Sequence, residues 1–194
     1  MNFGKIGTIA FLSLILAGNA TIMQSIGNEG PTAVYSESAA SEVSDLYYTR
    51  YIPYEVPNGD TSFKSYMDYR CITNKKSKQY EIQKNAQTDA DGLRYCGGYY
   101  IVALGTFYGK VGTRVRITLD TGVQFYAIIG DNKAICDTDS SNRYYPMANN
   151  RKNVVEFIVD TSVLDGKAKK MGDISYIDGD EFRGNVTKIE RIQE

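Results

Sequence analysis

From residue 99 onward the hydrophobic pattern reads as strands. Residues 99–104 (YYIVAL) form a β-branched and aromatic run, long enough for a buried strand and too short for a core helix. Residues 114–119 (RVRITL) alternate strictly, which puts Val115, Ile117 and Leu119 on one face. Asp120-Thr121-Gly122 supplies a short hairpin loop, and its partner strand, residues 123–129 (VQFYAII), ends at Gly130-Asp131. A polar loop over 132–153 leads to further strands at 153–159 (NVVEFIV), 174–177 and 185–192. Upstream, residues 77–86 (SKQYEIQKNA) predict a short helix, stopped by the turn that ends at Gly92. Six or so strands at this spacing, with little helix between them, predict a mainly β domain built as a small barrel or sandwich.

The N-terminal pattern is different. Residues 6–17 (IGTIAFLSLILA) are an unbroken apolar run with one positive charge, Lys5, ahead of it and small residues, Gly18 and Ala20, behind it, which is signal-peptide anatomy. Read instead as 6–23, the run is just long enough to be a retained anchor. A buried core helix lacks a matching helical partner downstream. Residues 21–62 are rich in Ser, Glu, Ala, Gly and Pro without a sustained period, which predicts a flexible linker. The expected organisation is therefore a signal peptide or membrane anchor over 1–20, a linker over 21–62 and a β domain over 63–194, with the chain exported to the cell surface or beyond. Membrane contact would run only through an uncleaved N-terminal segment.

Charge and composition narrow the chemistry. Basic and acidic residues number 22 and 23, so no positive excess is present to attract a phosphate backbone, and nucleic acid is excluded as an expected partner. Histidine is absent altogether, which removes Ser-His-Asp and Cys-His catalytic units and the usual imidazole ligands of zinc, and no cofactor is expected. Proton transfer would fall to Asp, Glu, Lys or Tyr. The sixteen tyrosines suit either a wet stacking surface or ordinary strand filling. The three cysteines allow one intrachain bridge at most; Cys71 with Cys96 is the preferred pair, against the alternative that all three are small buried hydrophobes.

Two carboxylates stand out. Glu156 interrupts the apolar run 154–159, where burial would raise its pKa and suit it to proton donation. The alternative is an exposed edge position, or an ion pair with a cation such as Arg114 or Arg116. Asp131 ends the most apolar strand directly after a glycine, a place where functional side chains collect and where turn-capping aspartates also occur. Asp120-Thr121-Gly122 matches the aspartic protease motif in a single copy, so that reading needs a dimer, whereas a hairpin with Gly in the left-handed position needs nothing more. Asp137, Asp139 and Asn142 lack the glycine and terminal Glu of a calcium loop and read as a solvated acidic loop, so no metal site is expected.

The stretch 99–159 resembles the three-aspartate (3D) domain of bacterial cell-wall proteins. The resemblance rests on Ile101-Val102-Ala103-Leu104, Val111-Gly112-Thr113-Arg114-Val115, Ile129-Gly130-Asp131 and Val154-Val155-Glu156-Phe157. It departs from the family at Leu104, which replaces the first aspartate, at Asn132-Lys133, which replaces a glycine pair, and at Glu156, which replaces the last aspartate. The resemblance implies a six-stranded double-psi β-barrel related to those of lytic transglycosylases. It also implies peptidoglycan or another cell-wall glycan as partner, cleaved with one carboxylic acid. In that scheme Glu156 is the acid/base, Asp131 its partner, and Tyr144 and Tyr145 the sugar-stacking surface. A non-catalytic wall- or surface-binding module using the same cleft is the alternative that the missing aspartate favours, and a dimeric aspartic protease using Asp120 is a third.

Overall fold

A computed structural model describes residues 49–179 and 181–193. The expected signal or anchor over 1–20, and most of the expected linker, lie outside the described residues. The fold is mainly β. Its strands are β1 (Arg50–Tyr54), β2 (Ser65–Asp68), β3 (Gln87–Thr88), β4 (Arg94–Cys96), β5 (Tyr99–Leu104), β6 (Arg114–Leu119), β7 (Gln124–Asn132), β8 (Tyr145–Pro146), β9 (Lys152–Asn153), β10 (Glu156–Val159) and β11 (Val186–Gln193). Two short helices, α1 (Lys78–Lys84) and α2 (Gly166–Met171), accompany them.

One mixed sheet organises the domain, in the order β1-β11-β6-β7-β5-β10-β2, with β4 also on β5 and β3 on β4. β5 runs parallel to β7 and β2 parallel to β10, while the other ladders are antiparallel. Among the described strands the hydrogen-bonded path stays open between β1 and β2, so the ladder does not close into a ring, and it contains nine strands where six or so were expected.

The segments 77–86, 99–104 and 114–119 form the elements their patterns predict, whereas 153–159, expected as one strand, is divided between β9 and β10. β6 alternates half-buried and buried positions, with Val115, Ile117 and Leu119 facing the main core beside Phe125, Ala127 and Ile129 of β7. β5 is buried on both faces: Val102 and Leu104 join the main core, and Ile101 and Ala103 join a smaller one under Ile82 of α1. Sandwiching is why this strand carries an unbroken apolar run. α1 starts where Ser77 accepts a hydrogen bond from the Tyr80 amide, as an N-cap should.

Three expectations change. Residues 50–54, placed in the linker, are the edge strand β1 paired with β11, where Tyr54 packs on the main core. Residues 174–177, read as a strand, instead hold a 3-10 turn, because the Asp173 side chain accepts from the Ser175 amide and buries Ile174. β7 does not end at Gly130. The register passes from Val102↔Ile129 to Ala103↔Asp131, which makes Gly130 a β-bulge, and a Cβ there would lie 2.1 Å from Ile101 Cγ2.

Residues 60–64 are stitched to the C-terminal part of the chain. Thr61 Oγ1 donates to the Val186 carbonyl, and the fully buried Lys64 donates from Nζ to the carbonyls of Ser62 (2.9 Å) and Gly184 (2.7 Å). Burial pushes the Lys64 ammonium down from 10.5 to about 8, against the pull of Asp173, Asp120 and Asp60. The unfolded chain keeps this proton up to about pH 10.5, so Lys64 adds stability as pH rises from about 8 towards that value and adds no slope below it. The stability of the wild type relative to Lys64→Met should therefore grow by on the order of 2 kcal/mol between about pH 8 and pH 10. Urea unfolding at each pH measures this, and parallel curves for the two proteins would contradict it.

Candidate functional site

The ends of β2, β7 and β10 and the loop carrying β8 and β9 enclose a cleft of about 360 Å³, lined by Phe63, Ser65, Lys133, Ala134, Asp137, Tyr145, Met147, Asn153 and Glu156. Its volume is in the range of small-ligand sites. Parallel pairing of β10 with β2 sets Glu156 opposite Ser65. Lys133 follows β7 directly and is held by its amide on the Leu104 carbonyl, 3.0 Å away.

These residues form one chain of contacts. Asn153 Nδ2 donates to Ser65 Oγ (2.6 Å), and Ser65 Oγ donates to Glu156 Oε1 (3.0 Å). Lys133 Nζ pairs with Glu156 Oε2 at 3.7 Å. Both groups line the cleft, and the Lys133 side chain is only 5% exposed against 25% for that of Glu156, so the carboxylate is the more open of the two. Burial pushes the Lys133 amine below its ordinary value, and the charge and hydrogen bond of Glu156 pull the other way. Glu156 is thus the ion-pair member weighed as an alternative, with Lys133 rather than Arg114 or Arg116 as its cation. Arg116 pairs instead with Glu190, at 2.7 Å.

Asp131 does not line the cleft. It and Glu156 both stand opposite Ala103, on the two strands that flank β5, which separates their Cα atoms by two strand spacings, about 9.5 Å. Its Oδ1 accepts from the Asn132 amide at 2.9 Å. The two tyrosines divide: Tyr145 is 46% exposed and lines the cleft, whereas Tyr144 packs against the main core with Lys152 Nζ 5.6 Å from its ring centroid.

The remaining candidates serve the fold. Asp120 sits on an exposed hairpin loop, where its two oxygens accept from the amide (2.9 Å) and side chain (2.8 Å) of Asn185 in the same chain. Asp139 turns towards its own loop, accepting from the amides of Arg143 (2.6 Å) and Tyr144 (3.1 Å), and thereby shapes the segment that carries Tyr145. Cys71, Cys96 and Cys136 are all free; Cys71 and Cys136 are exposed and Cys96 is half-buried, so the expected Cys71–Cys96 bridge is not formed.

Nothing in the sequence marks Ser65, Lys133 or Asn153 as members of one site. Each is a polar residue at a strand end or in a loop, where polar residues are ordinary. No protein-family model matches the sequence, and neither a curated protein nor a solved structure is significantly similar to it.

Proposed function

We propose that the chain is an exported, cell-wall- or surface-associated module that binds glycan strands in this cleft without cleaving them, on a sheet of the double-psi type. The observation that carries the reading is the engagement of Glu156. One oxygen accepts from Ser65 and the other faces the Lys133 ammonium, an arrangement suited to accepting hydrogen bonds from sugar hydroxyls. Asp131, the other half of the implied catalytic pair, stands outside the cleft. Tyr145 offers an exposed ring at the mouth, and an apolar ring face beside a few fixed polar groups is the usual composition of a small-ligand site.

The test is co-sedimentation of the full-length chain with purified peptidoglycan, coupled to mass spectrometry of the supernatant. The expected outcome is saturable binding with no anhydro-muramyl products. Tyr145→Ala should weaken binding by about 1 to 2 kcal/mol, the scale of an aromatic anchor, with an unchanged melting temperature because the ring is exposed. Release of anhydro products would replace this reading with the catalytic one. Equal binding by Tyr145→Ala would remove the cleft from recognition.

A further inference from the structure

On another part of the domain, the 3-10 turn Tyr69–Cys71, the loop after it and helix α1 form a second groove of about 390 Å³, lined by Tyr69, Arg70, Ile72, Thr73, Lys75, Tyr80, Gln83 and Lys84. The lining contains three cations and no carboxylate, in a chain whose net charge is −1. Glu81, the acidic residue of α1, is not part of it.

The cations differ in how far they are satisfied. Arg70 is spoken for: its Nε and Nη2 donate to Asp68 Oδ1 (2.7 Å) and Oδ2 (2.6 Å). Lys75 and Lys84 have no carboxylate in ion-pair range among the described residues. Behind the groove lies Arg94, only 9% exposed, with its guanidinium carbon 4.4 Å from the centroid of the Tyr69 ring. All of its hydrogen bonds go to neutral acceptors: the Gln83 side chain (3.3 Å), the Thr88 hydroxyl (2.8 Å) and the Gln83 carbonyl (2.8 Å). A buried guanidinium without a counter-charge raises the potential on its surroundings, and two of the residues it touches, Tyr69 and Gln83, line the groove.

The geometry points to this groove as a binding site for a phosphate group carried on a flat or apolar body, the phosphate held by Lys75 and Lys84 over the positive field of Arg94 and the body resting against Tyr69, Tyr80 and Ile72. Phosphate fits better than carboxylate because the one guanidinium fork in the lining is already filled by Asp68. What remains is a pair of ammonium point charges, which bind phosphate without requiring planar, two-pronged geometry. The groove is lined by none of the residues of the Glu156 cleft, so the inference stands independently of the glycan reading.

The experiment is a titration of the full-length chain with phenyl phosphate, followed by amide chemical shifts. Saturable shifts are expected in residues 69–84, weakening as sodium chloride is raised from about 50 to about 200 mM because screening shortens the reach of the lysines. The Lys75→Ala/Lys84→Ala double variant, altered at two exposed positions, should lose affinity tenfold or more while sedimenting with peptidoglycan as the wild type does. Competition separates the sources of the phosphate. Displacement by polyphosphate far below the phosphorus concentration needed with inorganic phosphate assigns the groove to a polymer-borne phosphate, and displacement at equal concentrations assigns it to a small phosphomonoester. The inference is overturned if no saturable shift develops, if the shifts lie elsewhere, or if the double variant binds phenyl phosphate as tightly as the wild type.

Discussion

Gly105→Ala is expected to destabilise the domain by about 3 kcal/mol, more than a surface substitution and at the upper end of overpacking costs. The backbone of Gly105 (φ −61°, ψ 149°) is open to any residue, so the effect is not conformational. It is steric: a Cβ would stand 1.9 Å from the Asn142 carbonyl oxygen and 2.7 Å from its carbon, and backbone cannot swing aside as a side chain can. The same Asn142 carbonyl accepts from the Phe107 amide at 3.3 Å, which fixes the loop bearing Tyr145 against the end of β5. On the glycan reading, binding should therefore weaken along with stability. Gly122→Ala is the control. There the space is open and φ is +85°, so only the left-handed penalty of roughly 1 kcal/mol applies. Urea midpoints at constant m-value give both numbers, and near-equal losses would show that the approach of Asn142 is not what requires glycine at 105.

Glu156→Gln is the second large effect. Removing the carboxylate leaves Lys133 charged and 5% exposed with no counter-charge, which for a fully buried pair costs about 3 to 5 kcal/mol; Glu156 is a quarter exposed, and the Gln amide oxygen can still accept, so about 2 kcal/mol is expected at pH 7. The deficit should shrink as pH rises. Without Glu156 nothing opposes the downward push of burial on the Lys133 amine, so the folded variant sheds that proton well before the unfolded chain does at about 10.5, and the variant gains stability across that interval. Unfolding at pH 7 and pH 9.5 checks the sign. A variant as stable as wild type at pH 7 would mean that Lys133 finds its compensation elsewhere. Since the glycan reading assigns Glu156 an acceptor role, the variant should also bind peptidoglycan less tightly, and neither protein should release anhydro products.

Where the fold follows local pattern, it was legible. The strict alternation of β6 and the two-faced burial of β5 are properties of six-residue windows, and the Ser77 cap sits beside the helix it starts. β1 was hidden because Pro53 interrupts it and because Arg50 and Pro53 face solvent at the sheet edge, so no burial stamps a period on it. The site divides in the same way. Glu156 could be picked out since a carboxylate inside an apolar run is conspicuous. Ser65 lies 91 residues away and reaches it only through the parallel pairing of β2 with β10, a property of the whole topology. In the sequence Lys133 stands out only as a departure from a glycine pair; its place beside Glu156 depends on how β7 ends beyond the Gly130 bulge.

β11, the last of the described strands, lies between β1, the first of them, and β6. The partners Arg50 and Gln193 are about as far apart in sequence as the described chain allows, so closing this ladder carries the largest loop-closure entropy in the domain. Topologies dominated by such pairings fold in milliseconds to seconds, slower than local ones. Synthesis sharpens the delay: until residue 193 has emerged, neither β1 nor the outer edge of β6 has its neighbour. A sheet that cannot be completed until β11 arrives leaves its earlier strands with unpaired edges for as long as the C-terminal segment is still being made.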